Sequence, residues 1–80
     1  MLVPIYGFLE GDTIGLVVLV HDHDRVGDIV ERIQQAASVR VAPRAGMVAM
    51  RDGKALQADL TIAQAGLAPL DRVDVVEALR

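Results

Sequence analysis

An α+β fold, a mixed sheet of four to five strands packed on one helix, is predicted by three observations. Only Asp24 to Ala37 carries a sustained helical stripe. The other apolar runs are short, rich in β-branched residues and separated by turns containing Gly, Asp or Pro. The order of these runs, two strands, a helix, then three extended segments, returns the last run beside the first.

The helix is justified by Val26, Ile29, Val30, Ile33 and Ala37, which fall at i, i+3, i+4, i+7 and i+11 on one face. Asp24 is expected to cap its first turn, where a carboxylate accepts free N–H groups and favours the positive dipole end. Asp28 and Arg32 stand at i, i+4 on the solvent face, an exposed pair worth about 0.3–0.5 kcal/mol. Ser38, the one serine, is expected to cap the far end.

The first strand is expected over Leu2 to Leu9, with a bulge or irregular pairing at Pro4 and Gly7. Glu10-Gly11-Asp12 makes a turn, and Thr13 to Val20 returns as the second strand. Ile14, Leu16, Val18 and Val20 alternate onto one face, with Val17 and Leu19 on the other. A strand with one face in water carries polar residues there. Here both faces are apolar, so something must cover the outer one. His21-Asp22-His23-Asp24 then links strand to helix; a structural turn is the reading adopted and a metal site the alternative.

Beyond the helix, Val41 to Gly46 is turn-rich, Met47 to Arg51 a strand, Asp52-Gly53 a hairpin signal and Lys54 to Gln57 a short return. Leu60 to Ala65 has helical character over only one or two turns, with Gly66 as its stop. Asp71-Arg72 turns into a last strand, Val73 to Ala78, placing Val73 and Val75 inside and Val76 on the outer face with Val17 and Leu19. The first and last strands then lie parallel at the sheet centre. This order is that of the β-grasp, or ubiquitin-like, architecture; a less regular α+β roll is the alternative.

At 80 residues the chain is read as a single domain, 1–80. It lacks cysteine, which removes disulfides, thiolate metal sites and a cysteine nucleophile together. The start has no signal-peptide pattern, so the cytoplasm is expected. Gly15 to Val20, the longest apolar run, is far short of the ~20 residues of a membrane helix. A net charge of −3 argues against nucleic-acid binding. Locally, Arg40, Arg44, Arg51 and Lys54 against Asp52 leave a net of +3, read as a solvated basic loop or as a docking patch for an acidic partner.

Catalytic inventory is sparse. There is no P-loop, dinucleotide fingerprint, HExxH helix or nucleophile elbow around Ser38. Tyr6 and Phe8 are expected to pack rather than stack on bases. Glu77-Ala78-Leu79-Arg80 offers no Gly-Gly tail, which argues against a covalent modifier or sulfur carrier. Binding is the role that remains.

Several runs carry a resemblance. Val41-Ala42-Pro43-Arg44, Gly46, Leu60-Thr61-Ile62-Ala63-x-Ala65-Gly66-Leu67-x-Pro69 and Val73-Asp74-Val75-Val76 resemble the gamma subunit of toluene-monooxygenase-type diiron hydroxylases. The Leu16 to Val20 strand and the acidic turn after it fit as well. Ala45 replaces the family's usual acidic residue, and the tight Asp52-Gly53 turn replaces a longer basic loop. These departures suit an alkene or isoprene relative as readily as a toluene one. The resemblance implies a non-catalytic subunit that holds no cofactor or small-molecule substrate. It would dock on a large alpha subunit bearing the diiron centre, in a paired assembly that includes a beta subunit. The expected contacts are Val17, Leu19 and Val76, with Arg44 and Arg51 as charged ones. A ubiquitin-like accessory protein of a bacterial secretion system is the alternative.

Overall fold

The computed structural model describes residues 1–78; Leu79 and Arg80, the last two residues of the ending without Gly-Gly, lie outside the described residues. The elements are β1 (Leu2–Leu9), β2 (Leu16–His21), α1 (Val26–Ala36), β3 (Met47–Arg51), β4 (Lys54–Ala55) and β5 (Arg72–Glu77). The sheet order is β2-β1-β5-β3-β4, with β1 and β5 parallel and the other pairs antiparallel. This is the arrangement the element order predicts. Asp52 and Gly53 both take positive φ (52° and 78°) and join β3 to β4, as that hairpin signal requires.

The helix lays Val26, Ile29, Val30, Ile33 and Ala37 on one face of the sheet, against Val3, Ile5, Leu9, Val18, Val20, Val73 and Val75. Gly7 is what lets it settle. A Cβ there would stand 2.3 Å from Ile33 Cδ1, so only a hydrogen leaves room for the isoleucine.

The expected bulge in β1 is absent: its pairing with β2 runs in unbroken register from Leu2↔His21 to Gly7↔Leu16. Tyr6 N donates to Asp71 O, and Pro4 O accepts from Leu70 N, so these residues turn their backbone groups towards the β5 side. Pro4 lies just before that ladder starts at Tyr6↔Arg72. Its missing N–H therefore removes no sheet bond.

Three expectations about the helix and its approach are corrected. The N-cap is Arg25, not Asp24, and Asp28 Oδ2 accepts from Arg25 N at 2.9 Å. That use of Asp28 displaces the i, i+4 pair. Arg32 instead reaches back to the sheet edge, donating to Leu19 O at 2.6 Å and lying 3.7 Å from Asp24. Asp24 Oδ2 accepts from His21 N at 2.7 Å, which closes the turn ahead of the helix. Ala37 occupies the C-cap position expected for Ser38.

Element boundaries also move: β4 ends at Ala55 rather than Gln57, and Arg72, expected in a turn, opens β5, which ends at Glu77 rather than Ala78. Ile14 is half exposed and precedes β2, because Asp12 Oδ1 accepts from its N–H and holds residues 12–14 in a turn. The segment of helical character at Leu60 to Ala65, expected to be one or two turns, is a single turn. Thr61 and Gln64 cap each other's backbone N–H (2.9 and 3.1 Å), and Gly66, at φ 72°, ends it with bonds from Gly66 N to Ala63 O and Leu67 N to Ile62 O. Caps so close together leave no room for a second turn.

Candidate docking surface

Alternate residues of β1 and β2 that do not face the helix form the outer face of the sheet: Leu2, Pro4, Tyr6 and Phe8 on β1, with Val17 and Leu19 on β2. Val17 is 58% and Leu19 52% exposed, and Leu2 and Tyr6 are exposed beside them. The pairs Pro4↔Leu19 and Tyr6↔Val17 place these side chains next to each other. None of these six is an acidic or basic residue, and His21, exposed at the end of β2, stands beside Leu2 on the same face. The six form the apolar surface that the sequence pattern left without a cover.

Val76 is on the same face but not in the same patch. Tyr6, level with Val17, pairs with Arg72, and Val76 lies four positions further along β5. There it pairs with Val48 of β3 and is half-buried. Between the two patches Arg72 lies 4.1 Å over the Phe8 ring and 3.1 Å from Asp74. Phe8 in turn packs edge-on to Tyr6, with centroids 4.7 Å apart. The outer face is thus divided by a cation stacked on an aromatic ring.

The two arginines expected to meet a partner work within the chain. Arg44 donates from Nη2 to Glu10 O at 2.9 Å, while the buried Gln34 amide holds the Arg44 backbone by two bonds, of 2.7 and 3.1 Å. This fixes the loop after the helix to the end of β1. Arg51 pairs with Asp71 at 3.0 Å and donates to Gly66 O at 3.1 Å, fastening the 66–71 segment to β3. Arg40 makes a fork to the buried Asp12 carboxylate, at 2.8 Å from Nη2. The Arg40 hydrogen bond holds the Asp12 carboxyl below its ordinary value and raises the guanidinium's own. The locally basic stretch is therefore largely tied to distant parts of the fold.

The imidazoles of His21, which ends β2, and of His23, in the turn after it, stack at 5.1 Å, both exposed. Among the described residues no group of three or more His, Asp or Glu side chains is placed to hold a metal ion. A groove of about 370 Å³ runs between α1 and β3, lined by Val30, Gln34, Met47 and Leu56. Of its polar lining groups, Asp28 accepts from Arg25 N and Gln34 bonds the Arg44 backbone, while Glu31 also lines it. Among the described residues no helix is long and apolar enough to cross a membrane.

Besides Val39, Leu70 is an exposed apolar residue that sequence reasoning missed. It is 61% exposed and has a φ of 63°. The signal was present in Pro69-Leu70-Asp71: a leucine directly after a turn proline falls outside any strand's alternation.

Residues 2–76 match the family described as toluene-4-monooxygenase system protein B (TmoB). The hydroxylase component subunit gamma of the toluene-4-monooxygenase system of Ectopseudomonas mendocina is 31% identical over 77 residues, which span 91% of this chain and 92% of that one. Among solved structures, a chain of a toluene 4 monooxygenase HD complex with the inhibitor 4-bromobenzoate matches with a TM-score of 0.88 and 30% identity, covering 96% of this chain and 99% of that one. Caldiarchaeum subterraneum ubiquitin matches with a TM-score of 0.77 at 18% identity over 100% of this chain and 98% of its own, a likeness of fold alone. Sequence and architecture thus agree over nearly the whole chain, and it belongs to the toluene-4-monooxygenase system protein B family.

Proposed function

We propose that this chain is the single-domain, non-catalytic gamma-type subunit of a bacterial multicomponent hydrocarbon monooxygenase hydroxylase, working in the cytoplasm. The observation that carries the reading is the match, over almost the full length of both chains, to a hydroxylase subunit gamma. The diiron centre belongs to the larger alpha subunit, and this chain docks on that subunit's outside. Its contribution is to assemble or stabilise the complex. In support of that division, Asp24 and Asp28 serve the turn and cap before the helix, and Asp12 and Asp71 pair with arginines.

Docking centres on Val17 and Leu19. Burying an exposed side chain of this size is worth roughly 1.5–3 kcal/mol, from which association costs are subtracted. Val76 lies at the far margin, across Arg72. Arg44, which lines the groove between α1 and β3, and Arg51, on β3, stand away from that patch, so any charged contact they make is a separate one.

Co-purification with the large iron-bearing subunit tests this. Wild-type chain is expected to co-purify, whereas Leu19→Asp keeps its circular dichroism spectrum and unfolding midpoint but is lost from the complex. Normal assembly of that variant would remove Leu19 from the interface. Failure of the wild-type chain to assemble would overturn the subunit reading itself.

A further inference from the structure

The turn from Ala68 to Asp71 presents a side chain that the fold does not require. Asp71 N donates to Ala68 O at 3.1 Å, with Pro69 second and Leu70 third in the turn. The positive φ of Leu70 is what a type II turn demands at that position, where glycine or asparagine is the usual occupant. Leucine holds this backbone only under strain. At 61% exposure its side chain also gains little packing within the chain.

The turn is held firmly. Leu70 N donates to Pro4 O at 2.7 Å, and Asp71 Oδ2 accepts from Ala68 N at 2.8 Å. Arg51 clamps both ends of the segment through Gly66 O and Asp71. Pro4 pairs on its other side with Leu19. Leu19, Pro4 and Leu70 therefore occupy three adjoining backbone segments at one end of the outer face.

We propose that Leu70 is a docking residue, an apolar knob presented by a strained turn and received by the larger hydroxylase subunit. This rests on the subunit reading above. A rigid knob suits a preformed pocket on a folded partner, because ordering it on binding costs little further entropy. The complement is largely apolar, since Leu70, Pro4, Leu19, Val17 and Leu2 bring no charge to it, with His21 and Arg72 at its margins. A standard interface takes about 800 Å² from each partner. Against a total of 4752 Å², that is a continuous face rather than a spot. A larger subunit surrounding both the hairpin and the turn supplies such a contact.

The test compares full-length wild type, Leu70→Gly and Leu70→Asn, each variant co-expressed in equal amount with wild type and the larger subunits. Both replacements accept positive φ. They are expected to keep or raise the thermal midpoint of the chain and yet to enter the purified complex about tenfold less than wild type, the weight of one buried leucine. Equal incorporation of variant and wild type would overturn the docking role while leaving the subunit reading intact. Absence of wild type from the complex would overturn that reading and this inference with it. A lowered midpoint in both variants would assign Leu70 to internal packing. Concentration-dependent self-association of wild type that Leu70→Gly abolishes would give the knob to a second copy. Either result defeats the proposal.

Discussion

The two faces of the β1–β2 hairpin are built from the same residue types and meet different fates. On the inner face Val3, Ile5, Val18 and Val20 are buried against α1. One residue away along each strand, Leu2, Tyr6, Val17 and Leu19 are exposed. The contrast continues along the outer face itself. Over β5 the chain covers its own apolar surface, with Arg72 stacked on Phe8 and Val76 half-buried beside Val48. Over β2 it does not. Apolarity alone therefore fails to distinguish core from contact surface; what distinguishes them is whether another segment of the chain arrives to cover the residue.

The largest expected effect tests the two faces directly. Ile5→Ala should lower unfolding free energy by about 2–5 kcal/mol, as truncation in a packed core does. Val17→Ala should stay within about 0.5 kcal/mol. Denaturant titration measures both, and similar losses would erase the distinction. A smaller effect separates the two halves of the outer face. Arg72→Ala should cost about 0.5–1 kcal/mol through the lost stacking, and a double-mutant cycle with Phe8→Leu should show that the two losses are not additive.

The smallest effect sharpens how the loops around the faces are held. Asp12 is held below its ordinary value of 3.8 chiefly by Arg40, and Asp24 chiefly by the His21 N–H. Each carboxyl binds its proton less readily when folded, so the unfolded chain takes up the excess protons as pH falls. The stabilisation is complete well above the ordinary value and disappears as pH drops through the lowered one. Midpoints should therefore be flat from about pH 5 to 7 and decline below about pH 4. Asp12→Asn should flatten that decline.

Much of this was legible because it depends on spacing. The helical stripe, the alternation in β2, the inward Val73 and Val75 and the Asp52-Gly53 hairpin are periodic or local signals, and the parallel pairing of β1 with β5 follows from their order. What escaped depends on distance in space. Whether Pro4 disrupts β1 turns on where the β5 ladder begins, which lies in residues remote from it. Arg40 and Arg51 read as a basic patch because their counter-charges, Asp12 and Asp71, come from other segments. Asp24 precedes the helix and Arg32 lies within it, yet their side chains serve the strand edge. Leu70 escaped for another reason: its significance lies in a backbone angle.

That use of Arg32 and Asp24 has a consequence for the life of the subunit before it finds its place. β2 is an edge strand, and an open edge next to apolar side chains is a template onto which another chain can add a strand and start an aggregate. Arg32 occupies the Leu19 carbonyl and Asp24 the His21 N–H, so part of that template is already taken. The surface stays open to a partner that meets it side chain to side chain, while the ladder along its border is partly closed to runaway growth.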